Sequence, residues 1–329
     1  MTKLVLKKQI KDSTAGSFLS YGYLFKEPKR IVLKDETFVE IVSVPESRFG
    51  TRFIVSPDHS CFLFLPALFP SSITLYSLPT LKPRDEFKEG CLYKDACFSH
   101  DGKRLYLLAD KEIGEKAETL LFSYNRENKE RKTYFLNEGK RFDALFFSPV
   151  YCCPTLLNHS GKISYFQDGQ IIKERKTAPF HKISFRDKGS NLISDSPAGF
   201  QISSLNGKVI RKCDFLLPRE SKNPTPLEKK ERQEEKELEQ LSGYALPKSR
   251  KRGEHYYDRL TTFTSNQVFY VTKVRPENEY YLYFFSLNSF RRKKQIKLKG
   301  KYLARNYRQK HLFISTSKGM YIYLLTKGD

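Results

Sequence analysis

The sequence predicts an all-β fold that is built from a short repeated unit. Three observations support this prediction: strand-like runs occur almost throughout, a similar turn recurs between pairs of runs, and helical periodicity is confined to one segment. The chain has 329 residues, of which 39% are hydrophobic and 14% are aromatic. This much apolar surface argues against a wholly disordered chain.

Short apolar runs bounded by turn residues define the predicted strands. Residues 105–108, 120–124 and 280–287 are rich in aromatic and aliphatic side chains, which favour β-structure. Gly, Pro, Asp or Asn bounds many such runs at close intervals. This pattern is typical of antiparallel strands that are joined by tight turns.

One turn motif recurs along the chain. In its clearest copy, an apolar strand ends at Phe98-Ser99, the pair Asp101-Gly102 follows, and a second apolar strand begins at Leu105. Glycine adopts a positive φ without steric cost, so this pair between two strands predicts a hairpin. Similar copies begin at residues 53, 145 and 183, and weaker copies lie near residues 19, 263 and 304.

The spacing of the copies predicts their number and arrangement. Their first strands are predicted to end at residues 19, 55, 98, 147, 185, 263 and 304, at intervals of roughly 36 to 49 residues with one exception of roughly 78. A propeller blade of four strands takes about 40–50 residues, so the sequence predicts a seven-bladed β-propeller with one insertion. The last copy supplies three strands, and residues 3–10 are predicted to complete its sheet, which leaves no open edge at the seam.

The insertion divides the chain into three predicted parts. Blades one to five occupy residues 1–216, the insertion occupies residues 217–256, and blades six and seven occupy residues 257–329. Residues 224–243 within the insertion are predicted to form one helix, because a Thr-Pro pair begins the segment and Gly243 ends it. The middle of this helix is polar or charged on every face, which is typical of a solvated helix or of one that docks on a partner.

A short basic loop follows the predicted helix. It admits three interpretations: a nuclear import signal, an anchor for phosphates, or a flexible solvated loop. Its basic residues are Lys248, Arg250, Lys251 and Arg252.

The turn Phe98-Ser99-His100-Asp101-Gly102-Lys103 and the repeat spacing resemble those of β-propellers of the WD-repeat or TolB-like kind. The resemblance covers nearly the whole chain outside the insertion, and it implies an architecture rather than a function. The chain contains no Trp, so the Trp-Asp dipeptide of WD repeats is absent, and no copy has their Gly-His pair. The Asp-His-Ser/Thr-Trp network of that family is therefore not implied here. The alternative is a pair of β-sandwiches or another large all-β fold, which would share the strand spacing.

The charge of the chain predicts an anionic partner. Lys and Arg together number 59 against 37 Asp and Glu, which gives a net charge of +22. The insertion has ten basic and eight acidic residues, so a net charge of +20 belongs to the folded body. A basic rigid surface attracts nucleic acid, anionic lipid or an acidic protein.

The predicted contact residues for this partner lie near the end of the chain. Tyr302 and Tyr307 are interleaved with them, and such rings can stack on bases while cations contact phosphates. The alternative is that the tyrosines pack within the sheets while the lysines keep the edge soluble. The basic residues are Arg291, Arg292, Lys293, Lys294, Lys297, Lys299, Lys301, Arg305, Arg308 and Lys310.

These features favour a non-enzymatic interaction scaffold that holds an acidic protein or a ribonucleoprotein, with direct RNA or DNA binding as the first alternative. Phe290-Arg291-Arg292 also resembles the start of the Phe-Arg-Arg-Gly motif of phosphoinositide-binding propellers, although Lys293 replaces the Gly. That departure makes an anionic membrane lipid the weaker expectation. An enzyme with a site at the mouth of the propeller channel is a further alternative, because such a site would leave no sequence motif.

No sequence motif predicts catalysis, a cofactor or a metal site. Zinc-protease, P-loop, dinucleotide-binding and nucleophile-elbow patterns are all absent. The six cysteines include no C-x-x-C pair, which favours free thiols in a reducing compartment. The sequence also shows neither a signal peptide nor an apolar run long enough to span a membrane. We therefore expect a cytoplasmic protein that is monomeric on its own, or a nuclear one if the basic loop is an import signal.

Overall fold

A computed structural model gives the structure of the protein. The chain divides into two compact units, of which unit 1 comprises Met1–Pro179 and Leu303–Asp329 and unit 2 comprises Phe180–Tyr302. The structure describes residues 2–11, 13–48, 50–66, 70–113, 116–136, 142–148, 150–158, 162–176, 183–186, 191–196, 199–204, 208–214, 233, 254–264, 267–274, 279–286, 291–300, 302–308 and 311–327.

The described strands form seven antiparallel sheets of four strands each. We number sheets 1 to 6 in chain order, and sheet 7 joins the two ends of the chain. Four sheets of unit 1 are consecutive. Sheet 1 has strands β2 (Ala15–Leu19), β3 (Gly22–Glu27), β4 (Arg30–Lys34) and β5 (Glu40–Pro45). Sheet 2 has β6 (Gly50–Val55), β7 (Cys61–Pro66), β8 (Ile73–Ser77) and β9 (Pro83–Phe87). Sheet 3 has β10 (Leu92–Phe98), β11 (Arg104–Ile113), β12 (Lys116–Asn125) and β13 (Arg131–Leu136). Sheet 4 has β14 (Ala144–Ser148), β15 (Cys153–Asn158), β16 (Lys162–Gln167) and β17 (Gln170–Lys176).

Unit 2 holds sheets 5 and 6, whereas sheet 7 belongs to unit 1 apart from its residue Tyr302. Sheet 5 has strands β18 (Ile183–Arg186), β19 (Asn191–Ser196), β20 (Gly199–Ser204) and β21 (Val209–Asp214). Sheet 6 has β22 (Glu254–Thr264), β23 (Gln267–Val274), β24 (Glu279–Ser286) and β25 (Arg291–Leu298). Sheet 7 has β26 (Tyr302–Arg308), β27 (His311–Thr316) and β28 (Gly319–Lys327), and its fourth strand is β1 (Thr2–Ile10).

The predicted pairing of the two chain ends is confirmed. β1 pairs antiparallel with β28, with Leu4 opposite Leu325 and Ile10 opposite Met320. The N-terminal strand therefore gives sheet 7 its fourth strand, and the chain ends hold each other by a ladder of backbone hydrogen bonds.

Two sequence-based expectations need comment. The turn predicted near residue 304 is wrong, because β26 continues to Arg308 and the chain re-enters the sheet at His311. The helix predicted over residues 224–243 lies outside the described residues, except that Gln233 is in a helical conformation.

In sheets 1 to 4, burial falls from the central strands to the last strand. All six residues of β7 are buried, whereas five of the six residues of β13 are wholly or partly exposed. A continuous apolar run such as Cys-Phe-Leu-Phe-Leu is typical of a strand that is covered on both faces. The last strands of these sheets are more exposed because each forms an edge of its sheet.

The core of unit 1 lies between consecutive sheets. Successive residues of a strand point to opposite faces, so each central strand contributes to two interfaces. Leu107 packs against sheet 2, whereas its neighbour Leu108 packs against sheet 4. Phe62 likewise faces sheet 1 and Leu63 faces sheet 3. The interface between sheets 7 and 1 is made by aromatic and aliphatic residues such as Phe313.

A buried carboxylate ties three sheets together through their first strands. Asp95 of β10 is 2% exposed, and its Oδ1 lies 2.7 Å from the Arg52 guanidinium on β6. Its Oδ2 accepts a hydrogen bond of 2.8 Å from the backbone N–H of Leu145 on β14. A single side chain thus positions sheet 3 between its two neighbours.

We expect Asp95→Asn to lower the free energy of unfolding by about 1–2 kcal/mol, because the amide retains one acceptor oxygen but loses the charge that both partners share. Urea denaturation would measure this change. The matched variant Arg52→Gln removes the half-exposed partner, and we expect it to cost about 0.5 kcal/mol or less. Equal losses of unfolding free energy in the two variants would contradict the conclusion that the Asp95 carboxylate links the three sheets.

Candidate binding pocket and basic strand edges

A pocket of about 450 Å³ lies between the turns of sheets 3 and 4 in unit 1. Its volume is within the range of small-ligand and peptide side-chain sites. Aromatic rings form part of the wall, and charged or polar side chains form much of the remainder. The rings belong to Tyr106, Tyr134, Phe147 and Phe166, and the polar residues include Ser99, His100, Asp101, Arg104 and Asp168.

The rings are held in place by pairing across the two sheets. Tyr106 of sheet 3 stacks on Phe147 of sheet 4 with ring centroids 6.1 Å apart. Tyr134 meets Phe166 edge to face at 5.1 Å. Burial raises the pKa of Tyr106 to about 12, so its hydroxyl is neutral at physiological pH.

The recurring Ser turn shapes one side of the pocket. The backbone N–H of Arg104 donates a hydrogen bond of 2.9 Å to Ser99 Oγ, and Asp101 accepts one of 3.0 Å from the Lys103 N–H. Gly102 has a φ of 74°, as the predicted hairpin requires. In sheet 2 the same turn recurs, since the N–H of Cys61 donates to Ser56 Oγ over 3.1 Å. Asp58 and Asp101 therefore hold equivalent positions in the two sheets.

The preceding junction, between sheets 2 and 3, differs from this one. There an arginine occupies the position that corresponds to the pocket. Arg126, in the turn after β12, is 6% exposed. Its guanidinium donates hydrogen bonds to the Gly102 carbonyl and to Ser60 Oγ, and it lies 3.5 Å from Asp58 Oδ2. Hydrogen bonds from Ser56 and Ser60 and the charge of this arginine hold the pKa of Asp58 down to about 2 against the opposing effect of burial.

The strand registers identify the residue of sheet 4 that corresponds to Arg126. Arg104 pairs with Asn125 in sheet 3, and Arg126 is the next residue. In sheet 4 Thr155 pairs with Tyr165, and continuing this register by two residues places Gln167 opposite Cys153. Asp168 is therefore the equivalent of Arg126. It forms a two-residue turn with Gly169, with φ values of 48° and 88°, and this compact turn leaves the pocket open.

The buried thiol at the pocket is poorly suited to act as a nucleophile. Cys153 is buried, and burial raises its pKa to about 11, so the thiol is protonated at neutral pH. Neither it nor its neighbour Cys152 forms a disulfide. Within the described ranges, no group of three His, Cys, Asp or Glu side chains is arranged to hold a metal ion.

Seven of the predicted basic residues lie on edge strands of two different sheets. Arg291, Arg292, Lys293, Lys294 and Lys297 lie on β25, the last strand of sheet 6, where Lys293 forms a bulge between Arg292 and Lys294. Lys297 and the following Lys299 are exposed. Arg305 and Arg308 lie on β26, an edge strand of sheet 7. Lys301, Lys310 and the loop residues Lys248, Arg250, Lys251 and Arg252 lie outside the described residues.

Two functional features were missed by the sequence analysis. The first is Arg126, which lies in a polar turn and has no signal of burial in the sequence. The second is His311 on β27, which is 8% exposed and whose ring contacts Phe18 of β2 and Tyr23 of β3 at the junction of sheets 7 and 1. The recurring Ser-x-Asp turns were visible in the sequence, but the correspondence between Arg126 and Asp168 needs the strand registers.

Comparison with known proteins identifies the architecture. No family model and no curated protein matches the chain. Among solved structures it is similar to the β-propeller domain of Myceliophteria thermophila Cps50 (Swd1), with a TM-score of 0.66 and 11% identity over 98% of this chain and 100% of that chain. The chain has a β-propeller fold.

The propeller is also similar to dihydro-heme d1 dehydrogenase NirN in complex with DHE. This match has a TM-score of 0.53 and 14% identity, and it covers 89% of this chain and 57% of that chain. The predicted resemblance to propellers is thereby confirmed. At these identities both likenesses concern the fold alone. In the part of the chain that the structure describes, no helix is long and apolar enough to cross a membrane.

Proposed function

We propose that the chain is a non-enzymatic scaffold, a seven-bladed basic propeller whose outer strand edges hold an acidic protein or a ribonucleoprotein. The observation that carries this proposal is the uneven charge of the seven outer edge strands, which are the last strands β5, β9, β13, β17, β21 and β25 of sheets 1 to 6 together with β1 of sheet 7. β5 and β9 each have one more acidic than basic residue. Each of the other five has more basic than acidic residues.

β25 is the most basic of these edges. It carries five basic residues and no acidic residue, and its neighbour β24 carries three tyrosines. Such a concentration of charge on one edge raises the local potential more than the same charge spread over the body. It therefore supports attraction of a polyanion to this part of the propeller.

Exposed apolar side chains on the same set of strands favour a polypeptide partner over a bare polyanion. Phe135 on β13 is 65% exposed, Ile172 on β17 is 50% exposed, and Ile210 on β21 is 55% exposed. Protein interfaces combine buried apolar anchors with a charged rim, whereas phosphate backbones need only cations. We therefore infer that the partner offers acidic residues beside apolar ones.

The proposal that the propeller is not an enzyme rests on the pocket chemistry. The thiol of Cys153 is held protonated by burial, and the neutral hydroxyl of Tyr106 is equally unsuited to act as a base. One structural neighbour is a propeller domain and the other is a dehydrogenase, so an enzyme is the competing function. No described group of side chains favours that alternative.

Binding of defined polyanions tests the scaffold. We expect the full chain to bind poly-glutamate or single-stranded RNA, and the variant Lys293→Gln/Lys294→Gln/Lys297→Gln to lose at least tenfold in affinity. If three phosphates are contacted on RNA, the slope of log affinity against log salt should fall by about 2. Fluorescence anisotropy over a salt series would measure both quantities.

The matched control is Lys29→Gln/Lys82→Gln/Lys129→Gln, which removes the same charge from exposed sites outside the outer edge strands. We expect its affinity to stay within about threefold of the unmodified chain, because salt screens the attraction between the polyanion and charges that lie far from the binding edge. Two outcomes would contradict the proposal. One is an equal loss in both variants. The other is unchanged binding with increased aggregation of the β25 variant, which would show that the charges only protect a strand edge.

A further inference from the structure

The surroundings of Arg126 show which chemical group fits the junction between sheets 2 and 3. Its guanidinium is surrounded by a backbone carbonyl, a serine hydroxyl and the Asp58 carboxylate, and it lies over the ring of Phe98 at 5.8 Å. Carbonyl, hydroxyl and carboxylate acceptors around an aromatic face match the donors of a planar cation. The junction of sheets 2 and 3 is thus a guanidinium site that the chain fills itself.

The next junction repeats the carboxylate without the guanidinium, and Lys103, which pairs with Glu127 over 3.0 Å, stands where sheet 2 has Ser60. Asp101 holds the position of Asp58, and its Oδ1 accepts hydrogen bonds from Ser99 and from the Lys103 N–H, while no described residue donates to its Oδ2. Asp168 holds the position of Arg126, and its carboxylate has no hydrogen bond or ion pair with a described residue. Two carboxylates therefore line a pocket whose equivalent in the previous junction is occupied by a cation.

We propose that the pocket between sheets 3 and 4 binds the guanidinium group of an arginine side chain supplied by a partner polypeptide. The arginine enters from the turn side, where His100, Asp101 and Asp168 are exposed. Its guanidinium takes the role that Arg126 plays one junction earlier.

The charge of the lining suits a ligand with one positive charge. Asp101 and Asp168 are balanced by only one guanidinium, that of Arg104, which forms no ion pair with a described residue. A singly charged cation brings the lining to neutrality, whereas an anion would add to an existing excess of negative charge.

The aromatic wall adds attraction for the same ligand. Tyr106 and Phe147 present a stacked pair, and Tyr134 with Phe166 presents a second pair. Aromatic faces attract guanidinium groups by cation–π interaction, most strongly where water is excluded. A neutral ligand of the same shape lacks this contribution.

This site goes beyond the proposed scaffold function and does not rest on it. The basic strand edges attract negative charge, whereas the pocket selects a positive group. Loss of polyanion binding in the β25 variant and loss of arginine binding at the pocket are therefore separate results, and either can occur without the other.

Calorimetric titration with short capped peptides tests the site. We expect N-acetyl-Gly-Arg-Gly-amide to bind the full chain, and the same peptide with citrulline, which has the shape of arginine without its charge, to bind at least tenfold more weakly. Asp168→Asn should weaken the arginine peptide about tenfold, because asparagine suits the positive φ of this turn and only the charge is removed. Asp168→Arg places a guanidinium at the position equivalent to Arg126 and should abolish binding.

Methylguanidinium distinguishes the source of the guanidinium. Tighter binding of the peptide supports an arginine within a polypeptide, while equal or tighter binding of methylguanidinium supports the guanidinium site but overturns its assignment to a polypeptide. The control Glu36→Gln removes an exposed carboxylate outside the pocket and should change affinity by less than about twofold. The site is overturned if neither compound binds, if citrulline equals arginine, or if Asp168→Asn behaves like Glu36→Gln.

Discussion

Arg126→Ala is expected to lower the free energy of unfolding by about 3 kcal/mol. The substitution removes hydrogen bonds to the Gly102 carbonyl and to Ser60, and it also removes the cation near Asp58 and over Phe98. It leaves a cavity between sheets 2 and 3, because the side chain is only 6% exposed. Urea denaturation, rather than guanidinium, would measure the loss.

Lys129→Ala is the matched control for this variant. Lys129 is an exposed cation in the same turn, and its loss should change the free energy of unfolding by about 0.5 kcal/mol or less. A loss below about 1 kcal/mol for Arg126→Ala would show that its contacts do not hold the junction.

Chemical rescue makes the same variant a test of guanidinium recognition. We expect n-propylguanidinium to raise the urea midpoint of Arg126→Ala, because a ligand that binds only the folded state stabilises it by mass action. The neutral analogue n-propylurea fills a similar volume and should have little effect. Equal rescue by both compounds would show that the junction accepts any molecule of that size.

The architecture was predictable because turn chemistry and spacing are local. First strands predicted to end at residues 19, 55 and 98 do end there, since Ser, Asp and Gly at the turns force a reversal at those positions. The strand end predicted at residue 304 was wrong because the segment has no turn residue comparable to those of the other copies except Asn306. Pairing within sheet 7 extends this strand to Arg308. Local patterns thus predict reversals well and strand lengths less well.

The pocket was not predictable from the sequence because it depends on a comparison between neighbouring sheets. Arg126 and Asp168 are ordinary turn residues when each is considered alone. Only the strand registers show that they occupy equivalent positions, and only packing shows that one is buried while the other is exposed. The functional interpretation of the basic residues was easier to reach because net charge is visible without a fold.

We expect a buried histidine at the junction of sheets 7 and 1 to make the stability of this propeller sensitive to acid. His311 on β27 stacks on Phe18 of β2 with ring centroids 4.1 Å apart, and its Nε2 lies 3.3 Å from the hydroxyl of Tyr23 on β3. That hydroxyl accepts a hydrogen bond of 2.6 Å from Lys7 Nζ on β1, so it can donate to a neutral imidazole. The other ring nitrogen, Nδ1, is buried and has no partner in the described part of the chain.

Burial, together with the nearby positive charge of Lys7, lowers the pKa of His311 from 6.5 to about 4. The folded state therefore binds a proton on this ring less readily than the unfolded chain does. The stabilising effect of the neutral ring is fully present above pH 6.5, and it is lost as the pH falls from 6.5 towards 4. This difference in pKa between the folded and unfolded states lowers the free energy of unfolding by about 3 kcal/mol at a pH where His311 is protonated in both states.

We expect urea midpoints measured between pH 7 and pH 4 to fall steadily in the unmodified chain and to change much less in His311→Leu. The leucine keeps an apolar contact with Phe18 but has no proton to bind. His100→Gln removes an exposed histidine and should leave the pH dependence unchanged. Lowered carboxyl pKa values such as that of Asp58, about 2, contribute mainly below pH 4, so they do not mimic the effect in this range. If His311→Leu retains the full pH dependence, the titrating group lies elsewhere, and the junction that joins the chain ends is not the acid-sensitive part of the propeller.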